Sequence, residues 1–197
     1  HGAGRAYKDF FYLYLGTGIG GAMIFNGHPY QGFSPYTGEV GRIKHGAKGR
    51  RTFIDQSLDL RLLYPFLQRH GINASQPKDL ELLFEQQNPY LWEWLNEAVE
   101  CFDVVLYSIN ALLGPEAIFL GGRLPGSITD HLIERLQLES MATKASQPDS
   151  EVIYHGKLLR ATFGELSSAV GAATLPLYET FSTQHTILQQ SNPGSLP

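Results

Sequence analysis

Apolar positions along the chain change their spacing several times, and each change marks a predicted element. Phe10-Phe11-Tyr12-Leu13-Tyr14-Leu15 is an unbroken, aromatic-rich run closed by Gly16, and Ala22-Met23-Ile24-Phe25 is a second, closed by Asn26-Gly27. Short apolar runs bounded by glycine predict strands. An Asn-Gly pair between extended segments predicts a hairpin, because both residues tolerate positive φ. The first 30 residues are therefore expected to form an antiparallel meander. Gly16-Thr17-Gly18-Ile19-Gly20-Gly21 makes the turn between its first two strands, and Tyr30 opens the returning one.

Residues 31–55 show no period and read as loop. From Asp55 the spacing becomes three and four, through Leu58, Leu62, Leu63, Phe66 and Leu67, and it stops at His70-Gly71, which predicts a helix. Ser75-Gln76-Pro77 opens a shorter helix with Leu80, Leu83 and Phe84 on its apolar face. Asn88-Pro89 opens the longest, whose stripe runs through Leu91, Leu95, Ala98, Phe102, Val105, Ile109 and Leu112 to Gly114-Pro115. Cys101 lies beside that stripe and reads as a small packed hydrophobe. Ala117-Ile118-Phe119-Leu120, closed by Gly121-Gly122, has the continuous apolar pattern of a buried strand. Leu124-Pro125 starts a helix carrying Ile128, Leu132, Ile133 and Leu136. Beyond it, Glu139 to Ser150 reads as polar loop, Val152-Ile153-Tyr154 as a short strand, Glu165 to Phe181 as a helix, and residues 182–197 as a loose polar tail. This order predicts an α/β domain with a mixed sheet, an antiparallel hairpin plus a parallel crossover, and flanking helices.

Composition narrows the classes. Among 197 residues, 43% are hydrophobic and 17% charged, which excludes fibrous and wholly disordered chains and allows one continuous core. Fifteen Lys and Arg against nineteen Asp and Glu give a net charge of −4, the wrong sign for a surface that holds a DNA duplex. Any nucleic acid would be held elsewhere. The single cysteine excludes an intrachain disulfide and a cysteine-built zinc cluster, and it fits a reducing compartment. There is no membrane-length apolar run and no signal-peptide layout, so a soluble cytoplasmic protein with no membrane partner is expected. The chain opens with His1-Gly2-Ala3-Gly4-Arg5 and reaches a strand by Phe10, which reads as part of a longer protein or as a processed or engineered start.

Three segments offer chemistry. The glycines of Gly16-Thr17-Gly18-Ile19-Gly20-Gly21 would let backbone N–H groups approach a phosphate, with the Thr17 hydroxyl beside them; equally, they suit a tight, twisted hairpin. The segment is no dinucleotide fingerprint, since a strand follows it and not a helix, and no Gly-Lys-Ser/Thr is present. Gly121-Gly122, between a buried strand and a helix, lies where open α/β sheets bind ligands, or merely turns the chain. In Gly38-Glu39-Val40-Gly41-Arg42 a carboxylate between glycines would accept hydrogen bonds from sugar hydroxyls, or be a solvated loop acid. The histidines form no metal-ligand spacing, and His28, His45, His70 and His155 read as surface or structural residues. Lys48-Gly49-Arg50-Arg51 reads as solvated loop.

Taken in order, Leu15 to Gly21, Asn26-Gly27, Gly38-Glu39-Val40-Gly41, Phe119 to Gly122 and Val170-Gly171-Ala172-Ala173 resemble the pattern of the ROK family of repressors and sugar kinases. The resemblance runs from about Gly2 to Phe181 and implies an actin-like, ribonuclease-H-like fold. Residues 1–181 would be the C-terminal lobe, carrying sugar binding and dimerisation.

The departures bear on function. In the family a histidine that serves as a sugar and zinc ligand follows the Glu-x-Gly; Arg42 stands there in this chain. A three-cysteine cluster ending in Leu-Glu normally follows. With Asp55 at its glutamate, Gly46, Lys48 and Phe53 stand where the cysteines belong, so the family zinc is expected to be absent. The family's catalytic aspartate and first phosphate loop have no counterpart here; no catalytic residue is therefore assigned and ATP is not expected to be used. The leading expectation is the effector domain of a ROK-type transcriptional regulator, binding a sugar or sugar phosphate through Glu39, Arg42 and Asp55. It would form a homodimer and meet DNA only through a separate N-terminal domain. Gly16, Thr17, Gly18, Gly20, Gly121 and Gly122 would be its phosphate-like loops. The alternative is the C-terminal lobe of an ATP-dependent sugar kinase.

Overall fold

β1 (Phe10–Gly16) and β2 (Gly18–Phe25) run antiparallel, pairing Leu15 with Ile19 and Gly16 with Gly18, so that Thr17 alone makes the reversal. The glycine-rich turn is thus shorter than expected, because Gly18, Gly20 and Gly21 belong to β2. Packing explains the glycine at position 21: a Cβ there would stand 2.3 Å from Cε1 of the Phe11 ring on the neighbouring strand. Asn26 and Gly27 make the expected hairpin turn, with φ of 50° and 77°. The returning β3 is short, His28–Pro29, and Tyr30 continues past it with its N–H donating to the Met23 carbonyl at 2.9 Å.

The computed structural model describes residues 2–47, 50–146 and 156–162, with the backbone alone for 141–146. All fall within one unit, His1–Glu165. Inside the stretch expected to be loop, Val40–Arg42 forms a 3-10 turn, and β4 (Lys44–His45) pairs antiparallel with β5 (Thr52–Phe53). The helix expected from Asp55 divides into α1 (Ile54–Leu58) and α2 (Leu60–Arg69). Asp59 lies between them in an extended conformation, and its carboxylate accepts the Arg61 N–H at 2.7 Å, so a short polar side chain starts a new helix.

α3 (Pro77–Glu85) and α4 (Pro89–Leu113) lie where the spacing places them. Asn88 caps α4 by accepting from the N–H groups of Tyr90 and Leu91, and Gly114 ends it in the left-handed region at φ 53°. β6 (Ala117–Gly122) leads into α5 (Gly126–Ser146), which continues eight residues into the segment expected to be loop. Residues 139–146 contain Met, Ala and Lys and no glycine or proline, and helix propensity prevails over polarity. β7 (Lys157–Arg160), an edge strand with only two apolar residues, has no clear sequence signal. The expected strand Val152-Tyr154, the helix Glu165 to Phe181, the Val170-Ala173 motif and the tail lie outside the described residues.

The sheet order is β3-β2-β1-β6-β7, with β1, β6 and β7 mutually parallel. Strand alternation separates two faces. Phe11, Leu13, Leu15, Ile118 and Leu120 join the main core with Leu95, Phe102 and Val105 of α4 and Ile128 and Leu132 of α5. Burying each such side chain stabilises by about 1.5–3 kcal/mol. Phe10, Tyr12 and Phe119 point to the opposite face, where Phe119 meets Phe10 and Tyr7 edge-on at 5.3 and 5.7 Å.

Candidate functional site

The parallel pairing of β1 with β6 sets Leu15 beside Gly122 and Tyr14 beside Gly121, which brings both glycine segments to one end of the sheet. Contact there is close. A Cβ on Gly122 (φ 127°) would stand 2.0 Å from the Leu15 carbonyl oxygen, which accepts the Arg123 N–H at 2.7 Å. Gly121 lies equally tight against the Tyr12 hydroxyl, 2.3 Å from where its Cβ would be. Thr17 projects exposed at the tip of the hairpin, and Gly20 is open to added volume.

Beyond the two residues paired with β3, the outer edge of β2 is free to bond elsewhere. Ile19 and Gly21, two positions apart, present their N–H groups to the same edge. Gly21 N–H donates to the Gly38 carbonyl at 2.8 Å, and Ile19 N–H donates to Oδ1 of Asp55 at 2.9 Å. The loop carrying Glu39 and the first turn of α1 are thereby docked on the strand edge. Two glycines permit the approach. Gly38, at φ 85°, would place a Cβ 2.0 Å from the Gly21 carbonyl oxygen, and Gly41 would place one 2.1 Å from Oδ1 of Asp55.

The structure therefore brings the glycine hairpin, the Glu39 loop and Asp55 together across three separate elements. Glu39 is exposed, and its carboxylate has no hydrogen bond or ion pair among the described residues. Its N–H donates to the Tyr36 carbonyl at 3.2 Å, and its carbonyl accepts the Arg42 N–H at 3.0 Å, which fixes the backbone on both sides. Arg42 is exposed as well, with its guanidinium carbon 5.7 Å from the centre of the Phe53 ring; Lys44 Nζ lies 5.3 Å from the same centre. A free acceptor, a half-buried acceptor and a flexible cation are thus adjacent, a set suited to hydroxyl groups and small anions.

Of the three positions matched to the family cysteines, Gly46 and Phe53 carry no donor atom and Lys48 lies outside the described residues. Among the described residues no three His, Cys, Asp or Glu side chains gather to hold a metal ion. The residues present do not fit the family zinc. His45 of β4 instead lies against Ser57 Oγ, 3.3 Å from its Nε2, and against the Cys101 sulfur at 3.7–3.8 Å. Cys101 is fully buried, and burial pushes its pKa up to about 11, so the thiol stays neutral. No sequence spacing joins these three residues. His70 is structural: its Nδ1 lies 2.9 Å from the Phe66 carbonyl oxygen and its ring stacks 4.0 Å from Tyr90. A cavity of about 370 Å³ opens among α1, α2 and α4, lined by Ser57, Leu63, Phe66, Arg69, Trp94 and Glu97; none of the expected site residues lines it.

The sequence pattern of the ROK family matches residues 1–178. The chain belongs to the ROK family. An N-acetyl-D-glucosamine kinase of Escherichia coli O1:K1 is 27% identical over 183 residues, covering 84% of this chain and 57% of that protein. The chain thus spans less than two thirds of the length of this curated relative. A ROK family protein from Streptococcus pneumoniae TIGR4, solved in complex with sucrose, superposes with a TM-score of 0.72 at 20% identity, covering 90% of this chain and 61% of the other. A ROK family transcriptional regulator, a homologue of the E. coli MLC protein, gives 0.61 at 16% identity, covering 82% and 44%. These likenesses show the actin-like α/β fold expected from the motifs. Among the described residues no helix is long and apolar enough to cross a membrane.

Proposed function

We propose that this chain forms the sugar-binding part of a ROK protein that phosphorylates a hexose or N-acetylhexosamine. The observation that carries the reading is the convergence of Asp55 and the Glu39 loop on one edge of β2, which leaves the Glu39 carboxylate unpaired and accessible. Glu39 and the second oxygen of Asp55 accept from sugar hydroxyls, and Arg42 donates. The glycines at the carboxyl ends of β1 and β6 face phosphate. Phosphoryl transfer depends on positioning both substrates in line and neutralising charge, so this part supplies recognition and not the whole reaction.

The regulator reading, favoured on sequence, uses the same site with a different output: sugar binding would shift a homodimer away from a DNA-competent state. The kinase relative is more similar in sequence than the regulator, and kinase activity is accordingly preferred. Calorimetry of the chain with glucose and N-acetylglucosamine, alongside Glu39→Ala, tests the site. We expect one sugar to bind and Glu39→Ala to weaken it about 10- to 100-fold, the range for a hydrogen bond to a charged group. Binding of neither sugar overturns the reading. Sugar-dependent ADP release by the full-length gene product supports the kinase; sugar binding without it supports the regulator.

A further inference from the structure

The loop that delivers Glu39 exposes an unusual density of aromatic rings. Between the end of β2 and Glu39, Phe25 is 54% exposed, Tyr30 59%, Tyr36 77% and Phe33 fully so. Exposed apolar surface of this kind marks binding sites more often than chance. The loop is also held by its own bonds. The Ser34 carbonyl accepts from Thr37 N–H at 3.1 Å and from Thr37 Oγ1 at 2.8 Å, and Ser34 Oγ accepts from Tyr36 N–H at 3.2 Å. Gly32 lies so close to Thr37 that a Cβ there would stand 2.1 Å from its hydroxyl oxygen. Tyr36 then leads directly into Glu39 through the Glu39 N–H bond to its carbonyl, and Gly38 pins the whole turn to β2.

The chemistry of the segment narrows the partner. From His28 to Gly38 it carries no Asp, Glu, Lys or Arg, which leaves nothing to neutralise a phosphate backbone or to pair with a charged protein rim. Its polar groups are His28, Gln31, Ser34, Thr37 and the hydroxyls of Tyr30 and Tyr36, interleaved with the rings. Rings that offer an apolar face, with neutral donors and acceptors between them, match a saccharide or aglycone, whose C–H face stacks while its hydroxyl groups hydrogen-bond.

We propose that Phe33 and Tyr36 form a stacking platform beside the Glu39 site that takes the group attached to the sugar, so that the preferred ligand class is a glycosidically extended hexose. The proposal rests on the sugar-binding reading above. It is tested on the full chain by calorimetry with glucose and N-acetylglucosamine and with the methyl and phenyl β-glycosides of each. Wild type is expected to bind a phenyl glycoside at least 5-fold more tightly than the methyl glycoside. In Phe33→Ser/Tyr36→Ser that gain disappears while the free sugar binds as before, and Phe33→Trp retains it, with a change in tryptophan fluorescence. Equal affinity of wild type for the phenyl and methyl glycosides, with free sugar still bound, overturns the platform alone. Binding of no saccharide overturns the site and the platform together.

Discussion

The Asp55 carboxylate accepts the backbone N–H of Ile19 at 2.9 Å, across 36 residues of sequence, and it can do so because Gly41 has no side chain. Removing either partner should therefore undo the same contact. Asp55→Ala leaves a strand-edge N–H unsatisfied and should cost about 1.5–3 kcal/mol, as expected for a hydrogen bond to a charged group. Gly41→Ala forces the carboxylate away and should cost a similar amount. In the Asp55→Ala background Gly41→Ala should be nearly neutral, since the atom it displaces is gone. Urea unfolding of the four chains measures this directly, and additive losses would show that Gly41 and Asp55 act separately.

Cys101 gives a second test, because it is the only cysteine and is fully buried with a thiol pKa near 11. Its folded pKa lies above the ordinary thiol value of about 9, so its contribution to stability is present below pH 9 and is lost as pH rises toward 11. At pH 8 a thiol reagent should modify the native chain slowly, at a rate set by opening, and react at once in denaturant. Fast modification of the native chain would show that the packing of His45 and Ser57 on the sulfur opens freely. Cys101→Ala should flatten the loss of stability between pH 9 and 11.

His131 titrates in the opposite sense. Its ring lies 4.9 Å from Trp92 and 5.4 Å from Phe84, and burial, followed by the charge of Arg135, holds its pKa below the ordinary 6.5. Folding thus favours the neutral ring, and the stabilisation is complete above pH 6.5 and declines as pH falls through the folded value. Thermal melts at pH 7.5 and 5.0 should show a smaller drop in Tm for His131→Gln than for wild type. An equal drop would place the acid sensitivity elsewhere.

How much of this was legible in the sequence depends on which atoms carry each feature. α4 is announced at both ends by Asn88-Pro89 and Gly114, whose side chains or backbone freedom are properties of those residues, and its boundaries follow. The hairpin at Asn26-Gly27 is equally local. The site is only half legible. Glu39, Arg42 and Asp55 are visible as residue types through the family pattern, but the groups that gather them are the backbone N–H of Ile19 and the carbonyl of Gly38, which any residue supplies and no spacing encodes. The approach of His45 to Cys101 spans 56 positions and two unrelated elements, so it emerges only when β4 docks on α4. Polarity misleads at Glu139 to Ser146, where residues of good helix propensity continue the backbone of the helix.

Arg42 carries the last prediction, since it stands where the family pattern has histidine and its guanidinium lies over the Phe53 ring. A neutral imidazole cannot attract an anion at pH 8, whereas an arginine is charged at every working pH and pairs with phosphate through two N–H groups. The position is exposed, so the gain is bounded by the 0.2–1 kcal/mol typical of exposed ion pairs, about 5-fold in affinity at most. On going from wild type to Arg42→His at pH 8, a hexose 6-phosphate should accordingly lose up to about 5-fold more affinity than the neutral hexose loses. Screening reduces exposed pairs once the Debye length falls to about 3–10 Å, so the difference should shrink on going from dilute buffer to high salt. Equal losses for the phosphorylated and the neutral sugar at low salt would leave Arg42 with its stacking on Phe53 and no part in recognising charge.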